Sequence, residues 1–488
     1  MPTAAVIGSG FAGLSAATCL ARDGYDVTVF EKNATAGGRA RKFSSDGFTF
    51  DMGPSFYWMP DVFDKYFDLF GKKVTDYFQL TRLDPSYRIF FGPDDHMDVP
   101  AGVDGVAKLF ETLEPGSSRR LQQFLDEGKI KYDLGINDIV YKPGLSLSEF
   151  ADPRIVYNAF RLHIFTSVSA YVRKFFRHPR IIQLLEFPVL FLGAAPKDTP
   201  ALYTLMNYAD IALGTWYPQG GMFKLVEAMF LLAREMGVRF RFNAEVTKLS
   251  LNGNRIEAIH LGEERLHFDN VIAAADYHHI EQDLLPAEYR RYSKSYWQER
   301  TMAPSALLFY IGINKKLPGM AHHTLFFDED FGAHATDIYK NKKWPDAPQF
   351  YVSCTSAIDA TTAPPGCENL VVLIPVAAGL VDTEQTRDKY FRMVISRFEK
   401  TTGIPIRNNI VFSRSYAHND FVGDYHAWKG NAYGLANTLK QTANLRPSII
   451  NKKVKNLFYA GQLTVPGPGV PPAIISGQVV AKHLTSLR

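Results

Sequence analysis

The chain has 488 residues, 46% hydrophobic and 13% aromatic, with 54 basic against 50 acidic side chains and a net charge of +4. That length holds two or three domains' worth of core, and so small a dispersed charge excludes nucleic acid as a partner. No window of about 18 uncharged apolar residues occurs, which excludes a spanning helix; Cys19, Cys354 and Cys367 form no CxxC pair, the usage of reduced thiols in a cytoplasmic protein.

Residues 4–7 form a short apolar run suited to a buried parallel strand. The sequence GSGFAG follows. Gly8 allows the tight turn, Gly10 lets a pyrophosphate approach the backbone, and Gly13 lets the next helix pack on the sheet, with Ser9 and Ala12 beside them. Gly13, Ala16, Ala17 and Leu20 share one helical face, and Gly24 stops the helix. Residues 26–30 read as a second strand, with Glu31 and Lys32 at its end. Glu31 stands where a ribose hydroxyl is held, and its charge disfavours a 2′-phosphate, leaving FAD and NAD. A fingerprint starting at residue 8 leaves no room for a signal peptide.

A second glycine pair, Gly37 and Gly38, follows with Arg39 and Arg41, and then FDMGPS with Gly53 and Pro54. An NAD domain has no need of this pair; the longer reach of a flavin does. From about 105 to 205 the pattern is mostly helical, broken by Pro143, Pro153, Pro179 and Pro188. Within it, residues 159–195 interleave large apolar side chains with Arg161, Arg173, Lys174, Arg177 and Arg180. Such a stretch is either a basic amphipathic surface for lipid or a core helix with solvated cations.

Residues 238–261 alternate as strands around the hairpin signal Asn252-Gly253, and 271–275 form another buried strand. A second mixed insertion spans about 281–430 and includes the apolar strand 370–376. The chain closes with a strand at 457–460, Gly461, a proline–glycine loop at 466–472 and a helix from 473. This second strand–loop–helix N-terminus carries Gly469, Val470 and Pro471, and its position suggests that the C-terminus folds back beside the N-terminal turn. His278-His279 and His322-His323 lack the spacing of metal ligands and read as structural. Asp51, His418, Asp420 and His426 are possible proton acceptors, and the catalytic base stays unassigned.

GGRA at 37–40, LGAAP at 192–196, WYPQGGM at 216–222, AHHTLFF at 321–327, AWKGNAYGLANTLKQTANLRP at 427–447 and GPGVPPAIISG near the C-terminus together resemble the bacterial phytoene-desaturase type of carotenoid desaturase. The resemblance implies an α/β fold: a Rossmann-type FAD-binding domain like that of glutathione reductase and the amine oxidases, formed by 1–95, 206–280 and 431–488. A helical, membrane-associating part (96–205) and a mixed substrate-binding part (281–430) are interleaved with it.

It further implies FAD, no metal, and hydride transfer from an apolar carotenoid to flavin N5 with proton loss from the adjacent carbon. Peripheral attachment to the inner face of the cell membrane and a quinone or oxygen as electron acceptor come with it. Carried over, Gly8, Ser9, Gly10, Ala12 and Gly13 surround the pyrophosphate, Glu31 holds the adenosine ribose, and Lys32 belongs to the cofactor-binding set. Gly38, Arg39 and Arg41 flank the phosphates and flavin, and Gly53 and Pro54 the isoalloxazine. Val246 clasps the adenine, and Gly461, Gly469, Val470 and Pro471 face the ribityl chain and pyrimidine. SFYWM at 55–59 is bulkier than the family segment, so the substrate is either phytoene or a later carotene with an acyclic or hydroxylated end. A non-redox isomerase and a prenyl-lipid-binding protein without chemistry are the alternatives.

Overall fold

The computed structural model describes residues 1–150, 162–192 and 194–488. Strand β1 (Thr3–Ile7) is inaccessible along most of its length, as a strand covered on both faces must be. Helix α1 (Phe11–Arg22) returns the chain to β2 (Asp26–Phe30), parallel to β1. The five-stranded sheet is parallel throughout, in the order Leu457–Tyr459, Asn270–Ala273, β1, β2, Arg239–Arg241. Its strands come from both ends and the middle of the chain.

The close packing has a compositional cause. A Cβ on Gly13 would lie 2.0 Å from the Gly8 carbonyl oxygen, so only glycine lets α1 start so near β1. The C-terminal helix Val470–Thr485 crosses α1 equally closely: a Cβ on Gly477 would lie 2.4 Å from the Ala12 carbonyl oxygen. The Ser15 hydroxyl donates to the Ile474 carbonyl at 2.7 Å across that crossing. This helix begins at Val470, three residues before the expected start, because Pro471 and Pro472 fall in its first turn, where no amide donor is required.

The second sheet has seven strands, in the order Ile410–Tyr416, Ser305–Ile313, Glu368–Val376, Phe350–Ser353, His323–Phe326, Tyr87–Gly92, Asp95–Val99. The boundary expected at residue 95 therefore falls inside a hairpin of this sheet, which residues 87–99 join by pairing with His323–Phe326. A small hairpin, Lys42–Ser45 with Phe48–Asp51, docks on the second sheet. Phe43 meets Tyr310 edge-on at 5.0 Å, Phe50 stacks on Phe412 at 5.6 Å, and the Tyr310 hydroxyl donates to the Met52 carbonyl at 3.0 Å. That docking fixes Met52, Gly53 and Pro54 between the sheets.

Residues 162–192 and 194–195 are the described part of the basic amphipathic stretch; 159–161 and 193 lie outside the described residues. Helices Val168–Phe175 and Pro179–Glu186 turn their apolar faces inward: Val172, Phe176, Ile181, Leu184 and Leu185 are all buried. Arg173 pairs with Glu186 and Arg180 with Asp95. Core packing with solvated cations is the reading that the structure bears out for these two helices. No helix among the described residues is long and apolar enough to cross a membrane.

Candidate active site

The turn after β1, the segment after β2 and the C-terminal loop converge on one cleft with a cavity of about 300 Å³, within the few hundred to about 1,000 Å³ of ordinary small-molecule pockets. Fourteen of the sequence-derived candidates line this cleft: Gly8, Ser9, Gly10, Ala12, Glu31, Lys32, Gly38, Arg39, Gly53, Pro54, Val246, Gly461, Gly469 and Val470.

Two helix N-termini open into it, those of α1 and of the C-terminal helix. Their N-cap residues, Gly10 and Gly469, offer no side chain to the free amides. Such uncapped ends suit an anion. Arg39 lies in the same wall, where burial lowers its pKa and the Asp276 carboxylate opposes that shift. Its Nη2 donates to the Asn431 carbonyl at 3.2 Å, and its guanidinium sits 5.2 Å from the Tyr425 ring centroid. Its Nε has no hydrogen-bond partner. A buried cation with an open donor beside two uncapped helix ends is the donor set a pyrophosphate requires. The cleft fits FAD.

Gly13, Arg41 and Pro471 are not in the lining. Gly13 serves the packing described above, and Pro471 the first helical turn. Arg41 turns to Asp424, at 2.5 Å, and its guanidinium too is 5.2 Å from the Tyr425 ring centroid. Gly53 has a second duty, since a Cβ there would lie 2.1 Å from the Arg39 carbonyl oxygen.

Glu31 differs most from its assigned part. Its Oε2 accepts from the Ser9 amide at 2.9 Å and the Ser9 hydroxyl at 2.7 Å, and its Oε1 from the Asn33 amide and side chain, both at 2.9 Å. These four bonds occupy all four acceptor positions of a carboxylate. Glu31 ties the glycine turn to β2, and a ribose hydroxyl reaches it only by sharing one of these positions. Among the described residues the Val246 backbone makes no hydrogen bond, leaving its amide and carbonyl available to an adenine.

Further lining residues come from the chain's later half. Glu245, His279 and His426 surround the end near Val246; the two histidine rings stack at 4.0 Å, and His426 meets Glu245 at 2.7 Å. The opposite end is apolar, formed by Ala306, Leu308 and Leu373 with Tyr433. Only Tyr433 lay in a quoted motif. Leu373 and Tyr433 also line an adjoining apolar pocket with Phe187, Leu325, Phe327 and Tyr351, so the two spaces abut.

The four possible proton acceptors all have structural duties. Asp51 accepts from the Met222 and Phe223 amides at 2.7 and 3.0 Å, capping helix Phe223–Glu235, and burial pushes its pKa up to about 6. His418 contacts the Ala377 carbonyl, Asp420 holds Arg387, and His426 belongs to the Glu245 end. Among the described residues no group of three His, Cys, Asp or Glu is placed to hold a metal ion.

Comparison with known proteins agrees with this geometry. Residues 11–485 match the family model described as flavin containing amine oxidoreductase. The chain is 40% identical over 482 residues to a carotenoid 3,4-desaturase of Haloarcula japonica, covering 98% of this chain and 97% of that one. It is 32% identical to a zeta-carotene-forming phytoene desaturase of Myxococcus xanthus, covering 98% and 93%. An oxidoreductase of Methanosarcina mazei shares the fold, with a TM-score of 0.62, 16% identity, and 98% and 100% coverage. With its cleft built for a flavin dinucleotide and opening on an apolar pocket, the chain belongs to the flavin-containing amine oxidoreductase family and, within it, to the carotenoid desaturases.

Proposed function

We propose that this FAD-dependent desaturase removes a hydrogen pair from an acyclic end of a carotenoid late in its maturation, at the 3,4 bond. The observation that carries the reading is the abutment of the flavin cleft and the apolar pocket at Leu373 and Tyr433. A polyene has no charge or hydrogen-bonding group to be recognised, so shape and apolar contact must position it. The 40% identity to a carotenoid 3,4-desaturase supports the choice of bond.

In this assignment the amides at the two helix N-termini and Arg39 hold the pyrophosphate. Glu31 and Ser9 lie at the adenosine ribose, Val246 at the adenine, and Met52–Pro54 beside the ring system. Bound FAD supplies a two-electron oxidant that accepts a hydride from an allylic carbon. The apolar walls exclude water from the developing cation and hold the chain in line. Phe56 and Trp58 pack against residues of that wall: the Phe56 ring lies 5.4 Å from that of Tyr351, and the Trp58 ring 6.4 Å from that of Phe187. We also read the enzyme as peripheral to the cytoplasmic membrane face, with a quinone or oxygen as terminal acceptor. The apolar substrate and the 91% exposure of Phe165 support this reading.

The test is anaerobic incubation of the purified holoprotein with a panel of acyclic carotenes, from phytoene to coloured and 1-hydroxylated ones, followed by mass measurement. Loss of a hydrogen pair at a 3,4 position with bleaching of the flavin is expected. An unchanged mass with an altered double-bond geometry makes the protein an isomerase, and a colourless protein that takes up no flavin overturns the reading.

A further inference from the structure

The pair His322-His323, structural by its spacing, lies in strand His323–Phe326 and the residue before it, whose neighbours Leu325 and Phe327 line the apolar pocket. His323 is fully buried, and its Nδ1 stands 2.6 Å from the Tyr351 hydroxyl. Among the described residues its Nε2 has no hydrogen-bond partner, nor does Nδ1 of the buried His322. Tyr351 lines the apolar pocket, and the Ser353 and Ser55 side chains lie close to its hydroxyl, Ser55 being next to Pro54 of the flavin cleft. On the far side, His322 faces a small polar cavity shared with Asp51, Ser55, Tyr217, Ser353 and Thr355. Burial drives the pKa of both histidines down, so both are neutral at ordinary pH.

We infer that Tyr351 is the catalytic residue that receives the proton lost in desaturation, and that His323 is the positioning residue that makes its hydroxyl oxygen basic. The inference rests on the desaturase reading above. After one carbon gives a hydride to the flavin, the conjugated cation carries a strongly acidic C–H bond on the adjacent carbon. The electrons of that bond form the new double bond. The proton passes to the Tyr351 oxygen as the tyrosine proton passes to His323 Nδ1. The imidazolium returns its proton to solvent as the product leaves.

A weak neutral base suffices because the cation is so acidic. A carboxylate at the same place would be costly, since an unpaired charge in apolar surroundings loses its hydration. The dyad stays uncharged until the reaction charges it. That difference explains why none of the carboxylates considered from sequence lines the apolar pocket.

Two measurements test this. Nitrogen-15 NMR of the histidine-labelled holoprotein without substrate should show His323 as the neutral tautomer protonated at Nε2, with its Nδ1 signal displaced in Tyr351→Phe. Protonation at Nδ1 overturns the assignment. In single-turnover flavin reduction, using whichever carotene the panel identifies, Tyr351→Phe and His323→Gln should retain FAD and substrate affinity. Each should slow reduction about 10²-fold or more, and deuterium at the proton-losing carbon should then become rate-limiting. Variants that react at the wild-type rate, or that slow without that isotope effect, overturn the proposal. A wild-type holoprotein that bleaches with no carotene of the panel instead refutes the desaturase reading itself.

Discussion

Arg39→Met separates what a buried cation contributes to binding from what it costs the fold. In the flavin-free protein the guanidinium has lost hydration, and among the described residues Nε is unpartnered and the Asn431 carbonyl and the Tyr425 face are its compensation. No carboxylate lies within 4.0 Å of it among the described residues, and Asp276, the nearest charge opposing its pKa shift, already caps the amides of His278, His279 and Trp428. Methionine fills much of the same volume and charges nothing. The flavin-free variant should therefore be at least as stable as the flavin-free wild type. FAD affinity should fall by one charge-assisted hydrogen bond, about 1.5–3 kcal/mol, or roughly 10- to 150-fold in Kd. Thermal unfolding with and without FAD, combined with a fluorescence titration of the flavin, measures both. A variant whose flavin-free form is destabilised by more than about 1 kcal/mol, or which binds FAD as tightly as wild type, refutes the reasoning.

Glu31→Gln places an amide donor against donors from Ser9 or Asn33, so it should lower the stability of the flavin-free protein by about 1–3 kcal/mol as well as FAD occupancy; chemical denaturation distinguishes this from a pure ribose contact, which would leave the flavin-free form unchanged. Leu373→Trp fills the junction between cleft and apolar pocket, and turnover should fall about 10²-fold while the flavin spectrum and occupancy stay as in wild type. Lys131 is buried, with Thr204 at 3.0 Å and the Tyr171 ring at 3.6 Å, and burial lowers its pKa to about 7. Because the unfolded state holds this proton up to about pH 10.5, stability should rise between pH 7 and 10. Lys131→Met should be more stable at pH 7 and should flatten that rise in a series of urea titrations.

Much of the cleft was legible because glycines carry steric information. Gly8, Gly13 and Gly477 each permit an approach that no other side chain allows, so their spacing encodes the strand–turn–helix path directly. The same logic locates the closing loop beside the opening one. What stayed hidden was the use of polar groups, because a hydrogen-bond partner is set by a fold whose contacts are hundreds of residues apart. Glu31 is spent on Ser9 and Asn33, and Arg41 is drawn away by Asp424. Phe176 and Ile181 show a third limit: an apolar stripe is the same whether it meets lipid or the helix Ser117–Asn137, and only tertiary packing decides. The proline-led start of the C-terminal helix was misplaced for a local reason, since proline in a first turn looks like loop until the strand before it is known.

The central sheet draws its edge strand, Leu457–Tyr459, from the tail of the polypeptide, and the helix after it leans on α1. While the ribosome is still making that tail, the nascent protein has the first phosphate-binding turn and lacks the second. Flavin insertion thus awaits residues 457–485: until they pack, the sheet lacks this edge strand and α1 lacks the helix that covers it.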